Sequence, residues 1–353
     1  MNRPKPSAKP AKTTHATVSP TTRRAPRWLG PALVPAVLAL ALGAWFWHPM
    51  ILGQTRAQPQ PLSPAPIDGK RAYGYLNQLC ALGPRPAGSE ANERQRKLVA
   101  DHFKKYGAEV IEQPFRTRDP LSGQIVNMAN VVGSWFPDRN ERLLICAHYD
   151  TRPHPDQEFD PDRRALPFFG ANDGASGVAL LMEIAHHLKD MKTPYGVDLV
   201  IFDGEELVYD RVGEYFLGAK EFAKRYKAGL RDRNNKKRYV AGLLLDMVGD
   251  MDLNITREVN SQRLAPQVVR EVFDIAARLK AKGFVGGPGR EVLDDHLALN
   301  EVGIPTADLI DFDYPEWHTA DDLPDRCSAE SLAEVGRVVT AWIGVQKAKK
   351  ATR

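Results

Sequence analysis

From residue 91 onward the chain alternates between two hydrophobic periods. Residues 91–106, 177–189, 218–225, 266–281 and 329–345 carry apolar positions three and four apart, the spacing of a helix with one buried face. Residues 129–134, 142–147, 197–202, 240–245 and 306–310 are short apolar runs, the mark of strands buried on both faces. The two kinds alternate along the chain. That order predicts an α/β domain with a central, mostly parallel mixed sheet flanked by helices. In such domains ligands bind beyond the carboxyl ends of the strands, so the residues just after each apolar run are where chemistry is expected.

The first part of the chain follows a different pattern. No Asp or Glu occurs before Asp68, while Arg3, Lys5, Lys9, Lys12, Arg23, Arg24, Arg27 and Arg56 do. Between Arg27 and Arg56 there is no Lys, Arg, Asp or Glu. An uncharged apolar run of about 20 residues is long enough to cross a bilayer as a helix. A basic flank before it keeps the N-terminus cytoplasmic. The expected organisation is a disordered basic tail over 1–27, a transmembrane signal-anchor over 28–48, a Pro-rich stalk over 49–67 and a single catalytic domain over 68–349. The domain then lies on the extracytoplasmic side. The competing reading is a signal peptide cut near Ala57, which would leave the protein secreted or periplasmic.

The formal net charge of +4 is too small to suggest a nucleic-acid partner, and the Arg231–Arg238 stretch reads as a solvated loop. Three cysteines, with no CxxC spacing, argue against a cysteine-ligated structural zinc. Cys146 falls in an apolar run and reads as a buried strand residue, which leaves Cys80 with Cys327 as the candidate disulfide pair.

Residues able to do chemistry follow the strand-like runs. The run ending at Ala147 leads into His148-Tyr149-Asp150. The run ending at Phe202 leads into Asp203-Gly204-Glu205-Glu206, and the run ending at Leu245 into Asp246. Asp173 lies in a Gly-rich segment before a helix, and Asp294-Asp295-His296 and Glu316-Trp317-His318-Thr319 come later. His nitrogen with Asp and Glu oxygen is a common ligand set for a catalytic zinc that keeps a position open for substrate. In the Glu205-Glu206 pair one carboxylate can bind metal while its neighbour faces the substrate and moves protons. Each segment alone has a plainer reading: a solvated Glu pair, a helix cap at Asp294-Asp295, a packing Trp. Their joint order along one α/β pattern is much harder to obtain without a site.

Together these segments resemble the zinc-dependent family of M28 aminopeptidases and glutaminyl cyclases, over roughly residues 72–345. The resemblance implies a zinc-exopeptidase-like fold. It implies one zinc held by Asp173, Glu206 and His318, or two if His148 and Asp246 hold a second with Asp173 as the bridge. Glu205 matches the proton-shuttling carboxylate, and Asp246 and Asp294 the groups that steer it. Three features resemble the cyclase branch more closely: the insertion over 207–216 after the Glu pair, Leu293 before Asp294-Asp295-His296, and Trp317 beside His318. In cyclases that Trp lines the pocket for the glutamine side chain. A second pocket Trp of animal cyclases is absent, and Tyr209 is the candidate replacement. The implied substrate is the N-terminus of a peptide or protein. The alternatives are a metallo-aminopeptidase using the same residues and an inactive peptide-binding relative.

Overall fold

The computed structural model describes residues 61–346. The expected tail over 1–27, the membrane span over 28–48 and residues 49–60 of the stalk lie outside the described residues. Among the described residues, no helix is long and apolar enough to cross a membrane.

A six-stranded mixed sheet carries the domain. Its strands are β1 (Glu109–Arg118), β2 (Ile125–Trp135), β3 (Glu141–His148), β4 (Gly196–Phe202), β5 (Arg238–Asp246) and β6 (Thr306–Ile310). In space they run β1-β2-β4-β3-β5-β6. The pairs β4/β3, β3/β5 and β5/β6 are parallel, and β1/β2 and β2/β4 antiparallel. The main helices are α1 (Gly69–Cys80), α2 (Glu90–Lys105), α3 (Gly177–Leu188), α4 (Leu217–Gly229), α5 (Pro266–Leu279) and α6 (Ala329–Val345).

Side chains alternate across the sheet, which explains why the central strands read as unbroken apolar runs. Leu143, Ile145, Leu199, Ile201, Leu243 and Leu245 point to one face, under α1, α3, α5 and α6. Leu144, Cys146, Val200, Phe202 and Leu244 point to the other, under Phe222 and Ala223 of α4 and Leu299 of a short helix, His296–Glu301. The elements expected over residues 91–345 all form. Two of the strands and helices named above were not legible. The strand β1 is an edge strand whose residues are mostly exposed or half-buried and include Pro114, so it has no apolar run to betray it. The helix α1 buries only Ala72, Leu76, Leu79 and Cys80 among polar residues and two glycines.

Residues 61–67, read as the end of the stalk, are docked on the domain. The Ala65 amide donates to Thr340 Oγ1 at 3.2 Å, and Ile67 packs against the core. The Asp68 amide donates to Glu183 Oε1 at 2.9 Å, and Arg71 forms an ion pair with the same carboxylate at 2.6 Å. This strap lies beside His187, Asp190 and Val345, at the amino ends of the parallel strands.

The disulfide expectation is corrected: Cys80, Cys146 and Cys327 are all free and buried. Cys80 and Cys327 belong to the large apolar cluster and fill space there as small hydrophobes. Burial pushes the Cys80 thiol up to about 11. His186 is half-buried. Its Nε2 lies 2.6 Å from Tyr75 Oη, and its ring packs on Tyr106 with centroids 3.8 Å apart.

Candidate functional site

Six chain segments, carrying His148, Asp173, Glu205-Glu206, Asp246, Asp294 and Trp317-His318, converge at the carboxyl ends of the parallel strands. The strand β3 delivers His148 as its last residue, and β5 delivers Asp246 as its last. After β4 the chain turns sharply at Gly204, whose φ of +69° suits glycine, and so presents Glu205 and Glu206. Between β3 and α3, residues Ala171–Ser176 form a kinked turn in which Asp173 leaves the helical conformation. Gly174 follows at φ +95°, and a Cβ there would lie 2.6 Å from the Asp150 carbonyl oxygen. Glycine is thus required where the chain passes over β3.

Two buried carboxylates fix this backbone. Asp150 accepts from the amides of Glu205 at 2.9 Å and Glu206 at 3.0 Å. Asp322 accepts from the amides of Asn172 at 2.8 Å and Asp173 at 3.1 Å, and from Tyr314 Oη at 2.8 Å. Three non-glycine residues at the site have positive φ: Phe216 at 65°, Met247 at 45° and His318 at 57°. Such conformations cost roughly 1–3 kcal/mol each and persist where the surroundings enforce them.

The structure brings together both expected ligand groups. Ligand atoms of Asp173, Glu206 and His318 lie within 4.8 Å of one another, and so do those of His148, Asp173 and Asp246. His148 Nε2 is 3.1 Å from both Asp173 Oδ1 and Asp246 Oδ1. His318 Nε2 is 2.9 Å from Glu206 Oε1 and 3.4 Å from Asp173 Oδ2. Two oxygens, Asp173 Oδ2 and Glu206 Oε2, are buried without a hydrogen-bond partner. Buried carboxylate oxygens without partners are costly, and a cation between them removes that cost. The donor set of one imidazole and two carboxylates suits a zinc ion.

The electrostatics point the same way. Burial, aided by Glu206, raises the Asp173 carboxyl to about 6. Burial opposes charge on Glu206, but His318 and Arg152 outweigh it and hold that carboxyl down at about 2. Burial also opposes charge on His318, but Glu206 and Asp156 outweigh it and raise the imidazole to about 9. Glu205 stands outside both ligand groups, with its Oε2 4.0 Å from His148 Nδ1. Burial, with Glu206 and Asp294 as like charges, pushes its carboxyl well above the usual range. Asp294 is pushed up by burial and by Asp246.

A cavity of about 280 Å³ opens over these groups. Glu205, Asp246 and Asp294 share its wall with Trp317, Phe312 and Ile310, and Tyr215 and Phe216 line it as well. Trp317 stacks on His318, with ring centroids 3.8 Å apart and planes 26° from parallel. A larger cavity of about 570 Å³ lies among Tyr195, Val240 and Pro305 at the amino ends of the strands. Its one acidic lining residue, Glu271, accepts from Trp342 Nε1 at 3.1 Å, so nothing there suggests catalysis.

Some placements differ from expectation. Tyr209 donates to Asp119 at 2.8 Å and does not line the cavity; Tyr215 does. His154 lies 3.5 Å from Asp210, outside the cavity lining. Asp294-Asp295 does precede a helix, but neither carboxylate caps it. Sequence reasoning missed Arg152 and Asp156. Arg152 Nη1 donates to Glu206 Oε1 at 3.0 Å, and Asp156 Oδ1 lies 2.9 Å from His318 Nδ1. Both follow the His148-Tyr149-Asp150 motif, and only that adjacency could have flagged them.

Residues 130–343 match the model of peptidase family M28. The chain belongs to that family. Among solved structures, a glutaminyl cyclase from Fimbriiglobus ruber is 40% identical with a TM-score of 0.78, over 82% of this chain and 100% of that one. A leucine aminopeptidase precursor from Bacteroides thetaiotaomicron is 28% identical with a TM-score of 0.75, over 81% of this chain and 100% of that one. A Zn-dependent exopeptidase from Parabacteroides distasonis is 30% identical with a TM-score of 0.73, over 79% and 99%. Structures named as cyclases and as peptidases thus share this M28 fold, and the choice between activities rests on the cavity.

Proposed function

We propose that this M28 protein is a zinc-dependent glutaminyl-peptide cyclotransferase, closing the N-terminal Gln of a peptide to pyroglutamate with release of ammonia. The observation that carries the reading is the cavity wall. Trp317 is stacked on His318, Phe312 packs on Trp317 at 5.0 Å, and Tyr215 and Phe216 come from the insertion after the Glu pair. Such a slot holds one side chain folded back toward its own amine, which raises the effective concentration of that nucleophile. The 40% identical cyclase structure supports the same reading.

Asp173, Glu206 and His318 would hold the zinc. When bound, it supplies Lewis-acid polarisation of the substrate carboxamide oxygen. The α-amine nitrogen bonds to the carboxamide carbon, and the bond from that carbon to the side-chain nitrogen breaks. Glu205 takes the proton from the amine and returns it to the departing nitrogen, which leaves as ammonia. Asp246 and Asp294 line the same cavity as Glu205, and the like charge of Asp294 favours its protonated form between the two transfers.

A second reading is favoured by one observation: the His148–Asp173–Asp246 group is complete, as a two-metal aminopeptidase requires. Incubating the full-length protein with a Gln-initiated and a Leu-initiated peptide separates the two. Loss of ammonia from the Gln peptide alone, read by mass, is the expected result. Release of the first residue from either peptide would overturn it.

The same proposal places the catalytic domain outside the cytoplasm on a single-pass anchor, carried by the uncharged run over 28–48 behind a basic flank. Full-length protein is expected in the membrane fraction after an alkaline wash. Recovery in the soluble fraction would sink the anchor.

A further inference from the structure

Arg152 is almost completely buried, at 1% exposure, directly behind the metal-ligand set. Its Nη1 donates to Glu206 Oε1 at 3.0 Å, and its Nη2 donates to Asp156 Oδ2 at 2.7 Å. Asp156 in turn lies 2.9 Å from His318 Nδ1 through its other oxygen, and His318 Nε2 lies 2.9 Å from Glu206 Oε1. These contacts close a ring of four residues, Arg152, Glu206, His318 and Asp156. Two of the three residues of one ligand group are members of that ring.

Three links of the ring hold the ligands from behind; the fourth, His318 Nε2 to Glu206 Oε1, joins two ligand atoms that a bound cation would come between. Arg152 engages Glu206 through Oε1, so Oε2, buried and without a partner, is the oxygen left to face a cation. Asp156 engages His318 through Nδ1, which leaves Nε2 as the coordinating nitrogen. A planar guanidinium can hold two acceptors at once in fixed directions, which a lysine cannot. Arg152 Nη2 also donates to Tyr215 Oη at 2.9 Å, and Tyr215 lines the substrate cavity. One buried side chain therefore touches a metal ligand, the carboxylate that orients a second ligand, and the cavity wall.

We propose that Arg152 is a positioning residue that sets how firmly the Asp173–Glu206–His318 centre retains its metal and that ties the Tyr215 wall of the cavity to it. The metal part stands without the cyclase reading; the Tyr215 part rests on it. Second-sphere partners of metal ligands typically change affinity by roughly 10- to 100-fold when removed.

The test is zinc loss from the full-length, zinc-loaded protein to a chromogenic chelator, with circular dichroism to confirm folding. R152M is expected to release zinc roughly 10- to 100-fold faster than wild type, and R152K to recover part of the difference. A folded R152M with wild-type zinc release would overturn the proposal, as would R152K behaving no better than R152M. If R152M does not fold, D156N removes the charge facing His318 at nearly constant shape. It is expected to shed zinc faster, and unchanged release would overturn the proposal. Y215F is expected to keep zinc as wild type does and to raise KM for a Gln-initiated peptide with little change in kcat. Faster zinc release in Y215F, or an unchanged KM, would overturn the link to the cavity wall. If no ammonia is released from any peptide by wild type, the cyclase reading falls while the zinc measurements still decide the role of Arg152.

Discussion

Glu205→Gln is expected to keep its metal and lose nearly all turnover. The residue is buried, at 8% exposure, and belongs to neither ligand group. Its backbone is held by Asp150 through the amide, so the side chain can be altered without moving Glu206 next to it. Glutamine has nearly the same shape, and the cavity should stay intact. What disappears is the group that accepts a proton. General acid–base catalysis contributes about 10²- to 10⁴-fold, or roughly 3–5 kcal/mol of barrier. The Glu205 carboxyl is pushed well up by burial and by the like charges of Glu206 and Asp294, the environment in which a carboxyl can both take and return a proton near neutral pH. The checks are ammonia release for turnover and elemental analysis for zinc. Undiminished turnover would remove Glu205 from the mechanism, and loss of zinc would make it a ligand.

Metal stoichiometry is the second large effect. Asp173 belongs to both ligand groups, whereas His148 belongs to one and His318 to the other. Asp173→Ala and His318→Ala are each expected to abolish zinc at the centre formed with Glu206. His148→Ala is expected to leave one zinc per chain, as in wild type. The asymmetry has a structural basis. His318 has Asp156 2.9 Å from its second nitrogen, whereas the carboxylates facing His148 Nδ1, Asp150 and Glu205, lie 3.9 and 4.0 Å away. An imidazole whose outer partner is more distant is less firmly oriented as a ligand. If wild type holds two equivalents and His148→Ala one, the two-metal aminopeptidase reading takes precedence.

Most of the sheet was legible because its central strands are buried on both faces. Leu143, Leu144, Ile145 and Cys146 had to appear as an unbroken apolar run. The ligand set was legible for a related reason: strands that end together in a parallel sheet place their next residues on one rim, so His148, Glu206 and Asp246 could be grouped before any geometry was known. The rest depended on contacts between residues far apart in sequence. Asp322 reaches the amides of Asn172 and Asp173, a span no periodicity encodes. In the sequence Arg152 is one more charge in a polar loop, and only its contacts with Glu206 and Asp156 give it meaning. Tyr209 and Tyr215 lie in the same insertion, and the turn between them decides which one faces the cavity. The cysteines were misjudged because counting thiols says nothing about whether two of them meet.

The docking of residues 61–67 at the amino ends of the strands has a practical consequence. The mouth of the cavity opens at the opposite pole, beyond the carboxyl ends of the same strands. Pro61, the first described residue, therefore sits at the rear of the domain, with His187 and Val345 as its neighbours there. An attachment made at Pro61 itself is fastened behind the catalytic face. Long substrates entering at the front can trail outward from the cavity without crossing that point of attachment.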